Sequence, residues 1–334
     1  MRYPLSIHTI YQDLLEAHRL RAVSTIGGMP FLKELPQGKY WYARQRIGDR
    51  PVDRYIGRDS DELRDRIERA KREHEADKSF ERRCAIMVAQ LRAAGLPTVD
   101  QGTGKILNAM ARVGVFRLGG TIIGTHAFLL YSAELGASFT DNLAVTEDVD
   151  IASFENLKLV IEDEVDPSLA ETFKALNLEP APGLDPKHRP TRWIMRGGGA
   201  KVDFLVPRMV DSQEIVRLEP LGIHAQALPF LNFLIADPVP AVALYRSGVL
   251  VQIPRPERYA IHKLIVAQRR AETARGKAVK DLAQAESLIE VLGEDRPGEL
   301  SLAYEAALQK GPKWRNAIAA SLKQRPRIAE LLRG

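Results

Sequence analysis

The chain has 334 residues, 45% hydrophobic and 27% charged, which suits a globular protein of two or more domains and excludes a disordered or collagen-like one. One cysteine, Cys84, excludes an internal disulfide framework and fits a reducing compartment; a net charge of +5 accommodates a nucleic-acid or NTP partner without demanding one. No run reaches the ~20 apolar residues that span a bilayer, and no apolar leader follows Met1, so a cytoplasmic protein with no membrane partner is expected.

Residues 1–100 read as a separate N-terminal extension. Lys39 to Ile47 and Val52 to Ile56 flank Gly48-Asp49 and predict a β-hairpin over Gly38 to Gly57. It puts Tyr40, Tyr42, Arg44 and Arg46 on one face. Aromatics beside guanidiniums suit single-stranded nucleic acid; the plainer account packs the aromatics on the core with the arginines outside. Asp59 to Arg83 holds nine acidic and eight basic residues at helical spacing, so it predicts a solvated helix of near-zero net charge. Pro97 and the polar stretch Thr98 to Gly104 mark a boundary. Gly102-Thr103-Gly104-Lys105 lacks the spacing of a phosphate loop and follows no apolar strand.

From Lys105 a helix is predicted to Val113, ending at Gly114, then an apolar strand from Val115 to Leu118. Gly119-Gly120-Thr121-Ile122-Ile123-Gly124-Thr125 leads into a helix over His126 to Leu135, closed by Gly136. A strand follows from Asp148 to Ala152. Arg192–Arg196, the turn Gly197-Gly198-Gly199 and Lys201–Val206 predict a hairpin, and Gly248–Ile253 a further strand. Beyond Pro256, helices are expected near 257–274, 278–292, 299–309 and 313–322. The fold class is therefore α+β: a mixed sheet flanked by helices over 101–255, followed by a C-terminal helical bundle over 256–334.

The chemistry concentrates in Thr146-Glu147-Asp148-Val149-Asp150-Ile151. Side chains alternate along a strand, so Asp148 and Asp150 share one face while Val149 and Ile151 face a core. Asp203, in Lys201-Val202-Asp203-Phe204-Leu205-Val206, sits in a second apolar run that can pair beside the first. Three carboxylates on adjacent strands make a hard-oxygen cage for one or two Mg²⁺ ions, with Mn²⁺ as the substitute. The bland alternative is a solvent-facing strand end. A cleft whose carboxylates already neutralise resident arginines would leave no room for magnesium.

A glycine and a small hydroxyl residue opening a helix, then Asp-x-Asp, then one later aspartate, resembles the DNA polymerase β-type nucleotidyltransferase superfamily. Within it, the chain is similar to the bacterial branch of abortive-infection-type toxins and minimal nucleotidyltransferases, over roughly residues 105–295. The resemblance implies a nucleotidyltransferase-type sheet on which Asp148, Asp150 and Asp203 bind metal and perform catalysis. It implies glycine-motif amides that cradle the triphosphate. Gly124-Thr125 is the preferred placement and Gly119-Gly120-Thr121 the alternative; the long interval to Asp148 suggests an inserted loop around Ala137–Ala144. Threonine keeps the hydroxyl that serine supplies in the family, although a helix start with a hydroxyl cap explains Thr125 as well.

The resemblance further assigns nucleotide contacts to Lys263 and Asp281, with Arg269 and Arg270 near enough to assist. For Lys263, a stem packed over Tyr259, Val266 and Ala267 is an equal account. Asp281 points inward with Ala285, Leu288 and Leu292, so pairing with an arginine is the alternative. His126 and His262 are read as structural. The implied reaction is Mg²⁺-dependent transfer of NMP from an NTP to an acceptor hydroxyl, with release of pyrophosphate. Basicity and the Tyr/Arg hairpin favour an RNA 3′ end, such as that of tRNA, over a protein or small-molecule acceptor; the toxin branch adds a protein antitoxin as a partner. A non-catalytic nucleic-acid or partner-binding module on the same scaffold, and a metal-dependent phosphohydrolase, are the competing functions.

Overall fold

The computed structural model of the chain describes residues 1–20, 29–36, 38–47, 50–139, 148–152, 169–182, 185, 188–197, 200–208 and 214–332. The expected Gly48-Asp49 turn, residues 140–144 of the expected inserted loop, and Gly198-Gly199 lie outside the described residues, as do the side chains of Arg46 and Asp148.

The N-terminal hairpin supplies two strands of a three-stranded antiparallel sheet: β1 (Met29–Leu35), β2 (Gly38–Ile47) and β3 (Arg50–Arg58). Sequence patterning missed β1 because its residues are mostly exposed and leave no apolar alternation to read. Helix α1 (Leu5–Arg19) precedes the sheet and α2 (Asp61–Ala93) follows it, capped by the Ser60 hydroxyl, which accepts the Leu63 amide at 3.2 Å. The sheet packs Trp41, Ala43 and Ile56 against Leu63 and Ile67 of α2. The charged helix runs on beyond Arg83 into an apolar stripe. There Phe80, Cys84, Val88 and Leu91 meet Tyr11 and Leu14 of α1, together with Val242 and Leu244.

Helix α3 (Gln101–Arg112) starts earlier than expected, because Asp100 caps it by accepting the Thr103 amide at 3.0 Å. Gly102-Thr103-Gly104-Lys105 is thus helix; a Cβ on Gly104 would run into the Tyr245 ring, so glycine there serves close packing. The strand expected over Val115–Leu118 is instead a run of turns. Gly114 and Gly119 both adopt φ +88°, and the Val115 amide bonds the Met110 carbonyl at 3.0 Å while the Gly120 amide bonds Val115's at 2.9 Å. An apolar run between two left-handed glycines folds back on the helix end and leaves no extended segment to pair.

The central sheet is mixed. It comprises β4 (Thr121–Ile123), β5 (Asp148–Ala152), β6 (Leu178–Pro180), β7 (Arg192–Met195), β8 (Lys201–Pro207), β9 (Ile215–Leu218) and β10 (Ile223–Leu228). The strands run β4-β5-β8-β10-β9, with β7 pairing antiparallel to β8 at one end and carrying β6. β5 and β8 are parallel neighbours, as are β8 and β10. Helix α4 (Gly124–Glu134) follows β4 directly, and α5 (Leu169–Ala175) precedes β6. On one sheet face Val149, Ile151, Val202, Phe204 and Val206 are at most 1% exposed, which anchors β5 and β8 in the core and turns the alternate residues the other way.

A short helix α6 (Leu231–Leu234) leads to a second ribbon, β11 (Val239–Ala243) with β12 (Val249–Ile253). The C-terminal helices are α7 (Pro256–Ala267), α8 (Arg275–Asp295), α9 (Pro297–Leu308), α10 (Pro312–Gln324) and α11 (Pro326–Leu331). α7 ends sooner than expected, since Arg269-Arg270-Ala271-Glu272 offers no apolar stripe to bury. No described helix is long and apolar enough to cross a membrane.

Candidate active site

Asp150 and Asp203 are brought together. Their Cα atoms are register partners on the parallel strands β5 and β8, and Asp148 is partnered with Lys201 one step earlier. Both carboxylates lie on the sheet face opposite Val149 and Val202, and both line a cleft of about 1110 Å³. The backbone of Asp148 continues the same alternation on β5.

Gly124 closes the cleft on the β4 side. It sits at the strand-to-helix junction with φ +67°, and a Cβ there would collide with Asp150 Oδ2. The left-handed backbone strains any side chain there, and the Asp150 carboxylate would have to turn aside to admit one. Tyr259, buried on α7, points its hydroxyl at the Gly124 carbonyl (2.8 Å) and Gln284 Oε1 (3.1 Å). Burial pushes that phenol well above its ordinary pKa, so it stays a donor and pins the junction. Thr125 follows on α4, half-buried, and is not among the residues that line the cleft. Gly119 and Gly120 do not line it either; a Cβ on Gly120 would meet the Val115 backbone, which makes that glycine a packing residue.

Asp203 is neutralised by a resident arginine, the arrangement named above as leaving no room for magnesium while it lasts. Arg192, opposite it on β7, donates Nε to Oδ1 at 2.5 Å and Nη2 to Oδ2 at 2.6 Å, a bidentate pair. The signal was present: folding the expected hairpin about Gly197-Gly199 sets 192 against 203. The carboxylate is 15% exposed and the guanidinium 50%, so the arginine approaches from solvent.

Lys263 and Asp281 meet each other on α7 and α8. Lys263 Nζ donates to Asp281 Oδ1 at 2.6 Å, and Arg270 Nε to Oδ2 at 2.9 Å. Burial lowers the Lys263 pKa, while Asp281 works against that shift. Lys263, Arg269 and Arg270 line the cleft, whereas Asp281 lies behind them. Arg269 stacks its guanidinium 4.7 Å from the Phe230 ring centroid, and no carboxylate pairs with it among the described residues. His262 also lines the cleft; burial first, then the adjacent Lys263 charge, pushes its pKa down to about 3, so the imidazole is neutral. His126, on α4, is buried and lies outside the lining.

The donor chemistry fits a hard divalent cation. The described donors are carboxylate oxygens in register on adjacent strands, and magnesium takes only one or two carboxylates when phosphates supply the rest. Two facts qualify the fit. No cluster of three His, Cys, Asp or Glu side chains able to hold a metal occurs among the described residues, which leave out the Asp148 side chain. Both Asp203 oxygens also face Arg192, so that guanidinium must move before an ion reaches them. The sheet carboxylates, the glycine junction and the cations Lys263, Arg269 and Arg270, on α7 and just beyond it, otherwise make a cleft suited to a polyphosphate.

Residues 101–309 match a family model described as nucleotidyltransferase, and residues 7–65 match a domain of unknown function. No curated protein matches the chain. Among solved structures, the chain is similar to the crystal structure of an antigenic nucleotidyltransferase-like protein from Paracoccidioides brasiliensis. The identity is 15% and the TM-score 0.40, over 71% of this chain and 94% of that one.

Proposed function

The chain belongs to the nucleotidyltransferase family, and from that premise we propose that it transfers an NMP from an NTP to an acceptor hydroxyl, releasing pyrophosphate. The observation that carries this reading is the placement of Asp150 and Asp203 in register, facing Gly124 at the start of α4.

In this reading Asp150 and Asp203, with Asp148 beside them, would hold divalent ions, magnesium by preference and manganese as a substitute; when bound, these would offset the triphosphate charge and favour the ionised acceptor hydroxyl. The Gly124 amide, at the positive end of α4, would hold a phosphate oxygen. Arg269 would meet the leaving pyrophosphate, its plane fixed by Phe230. Lys263, neutralised in place by Asp281, would supply an oriented N–H donor more than a free charge. Asp203 would take the proton from the acceptor hydroxyl once Arg192 has released it. Arg192, half exposed, would exchange its carboxylate for a substrate phosphate, because guanidinium binds both bidentately.

An RNA 3′ end is the favoured acceptor, in keeping with the basic charge of the chain; a reducing cytoplasm is the expected compartment, and a neutralising protein partner would follow if the transfer proved toxic. Incubating the protein with each α-labelled NTP, magnesium and total cell extract tests the reading. Label should enter RNA in the presence of wild-type protein. Release of inorganic phosphate with no labelled acceptor would mean hydrolysis and overturn it.

A further inference from the structure

Tyr259 offers one proton to two oxygens. Its hydroxyl lies 2.8 Å from the Gly124 carbonyl on α4 and 3.1 Å from Gln284 Oε1 on α8, and a phenol donates only once. The ring is held in place. Phe128 stacks beside it with centroids 6.3 Å apart, Tyr131 meets it edge-on at 5.2 Å, and Tyr259 and Gln284 are both at most 1% exposed. What remains free is the turn of the hydroxyl, and with it the choice of acceptor.

That choice matters to the cleft. Gly124, at φ +67°, has the backbone freedom of a glycine and no side chain to hold it. Its carbonyl shares a planar trans peptide with the Thr125 amide, which points the opposite way. A bond to the carbonyl therefore aims an amide in the first turn of α4, where amides find no acceptor within the helix. A proton turned to Gln284 leaves that peptide unheld.

We propose that Gln284 is a positioning residue for the nucleotide: it competes for the Tyr259 proton and so sets how firmly the glycine junction is held for a triphosphate. The shorter contact favours Gly124, so the competition trims affinity and does not abolish it. A phosphate oxygen on the amide polarises the shared peptide and makes its carbonyl the better acceptor, so nucleotide and proton favour each other. The inference rests on the nucleotidyltransferase reading, which supplies the triphosphate.

The test is calorimetric titration of the full chain, in magnesium and without acceptor, with the α,β-methylene analogues of the four NTPs, which cannot release pyrophosphate. Tyr259→Phe keeps the packed ring and removes the hydroxyl; it should bind about tenfold more weakly, the worth of one hydrogen bond. Gln284→Met keeps the length and removes the acceptor; it should bind more tightly, by up to about twofold, because the lost competitor held at most half of the proton's time. Added to Tyr259→Phe, Gln284→Met should change nothing, since no proton is left to contest. A residue that only supports the core would shift binding equally in both backgrounds, and that result would overturn the inference. So would weaker binding by Gln284→Met, or wild-type affinity in Tyr259→Phe. A wild-type chain that binds none of the analogues would overturn the nucleotidyltransferase reading together with this inference.

Discussion

Two carboxylates, Asp203 lining the cleft and Asp281 behind its wall, are each bound by arginine, and they differ in what surrounds the pair. Asp281 is 4% exposed and sits between Lys263, itself 10% exposed, and Arg270. Asp203 is nearly as well sheltered, but its arginine is half exposed. A buried pair that loses a partner leaves a charge stranded in low dielectric; an exposed guanidinium that lets go is rehydrated at little cost. The α7–α8 pair therefore reads as fixed architecture, and the β7–β8 pair as an exchangeable contact.

The largest effect that could break this contrast is on stability. Asp281→Ala strands Lys263 beside Arg270 and should cost about 3–5 kcal/mol, read as a lowered midpoint in urea unfolding. A loss under about 1 kcal/mol would mean that water reaches the pair and that both carboxylates are alike. Gly124→Ala comes next. A left-handed backbone costs an L-residue roughly 1–2 kcal/mol, to which the collision with Asp150 adds. Turnover should fall with it, and a variant of wild-type stability and activity would remove the junction from the site. The smallest change in stability is expected for Arg192→Ala, within about 1 kcal/mol. Its signature is kinetic: a rise of about tenfold in KM for the NTP, equivalent to one lost phosphate contact. Turnover faster than wild type would show instead that Arg192 merely obstructs Asp203.

The parts of this architecture that were readable in advance are those fixed by local pattern. Val149 and Ile151 around Asp150, and Val202 and Phe204 around Asp203, set the strands and their buried face by alternation alone. The helix after Gly124 and the C-terminal helices followed from apolar stripes and Gly-Pro punctuation. What escaped depended on contacts distant in sequence. β1 is legible only from its pairing with β2, Val115–Leu118 only from the hydrogen bonds that fold it onto α3, and the role of Tyr259 only from the Gly124 carbonyl it meets. The Arg192–Asp203 pair lies between, since the hairpin was expected but its register was not carried through to the partner.

The most direct test of the central claim is pyrophosphate release from an NTP, with magnesium and total RNA, by wild-type protein and by Asp203→Asn. Wild-type protein should release pyrophosphate, and the variant, still folded by its urea midpoint, should be slower by about a thousandfold, in line with the several kcal/mol that metal-assisted charge stabilisation supplies. Near-wild-type release by Asp203→Asn would contradict the account.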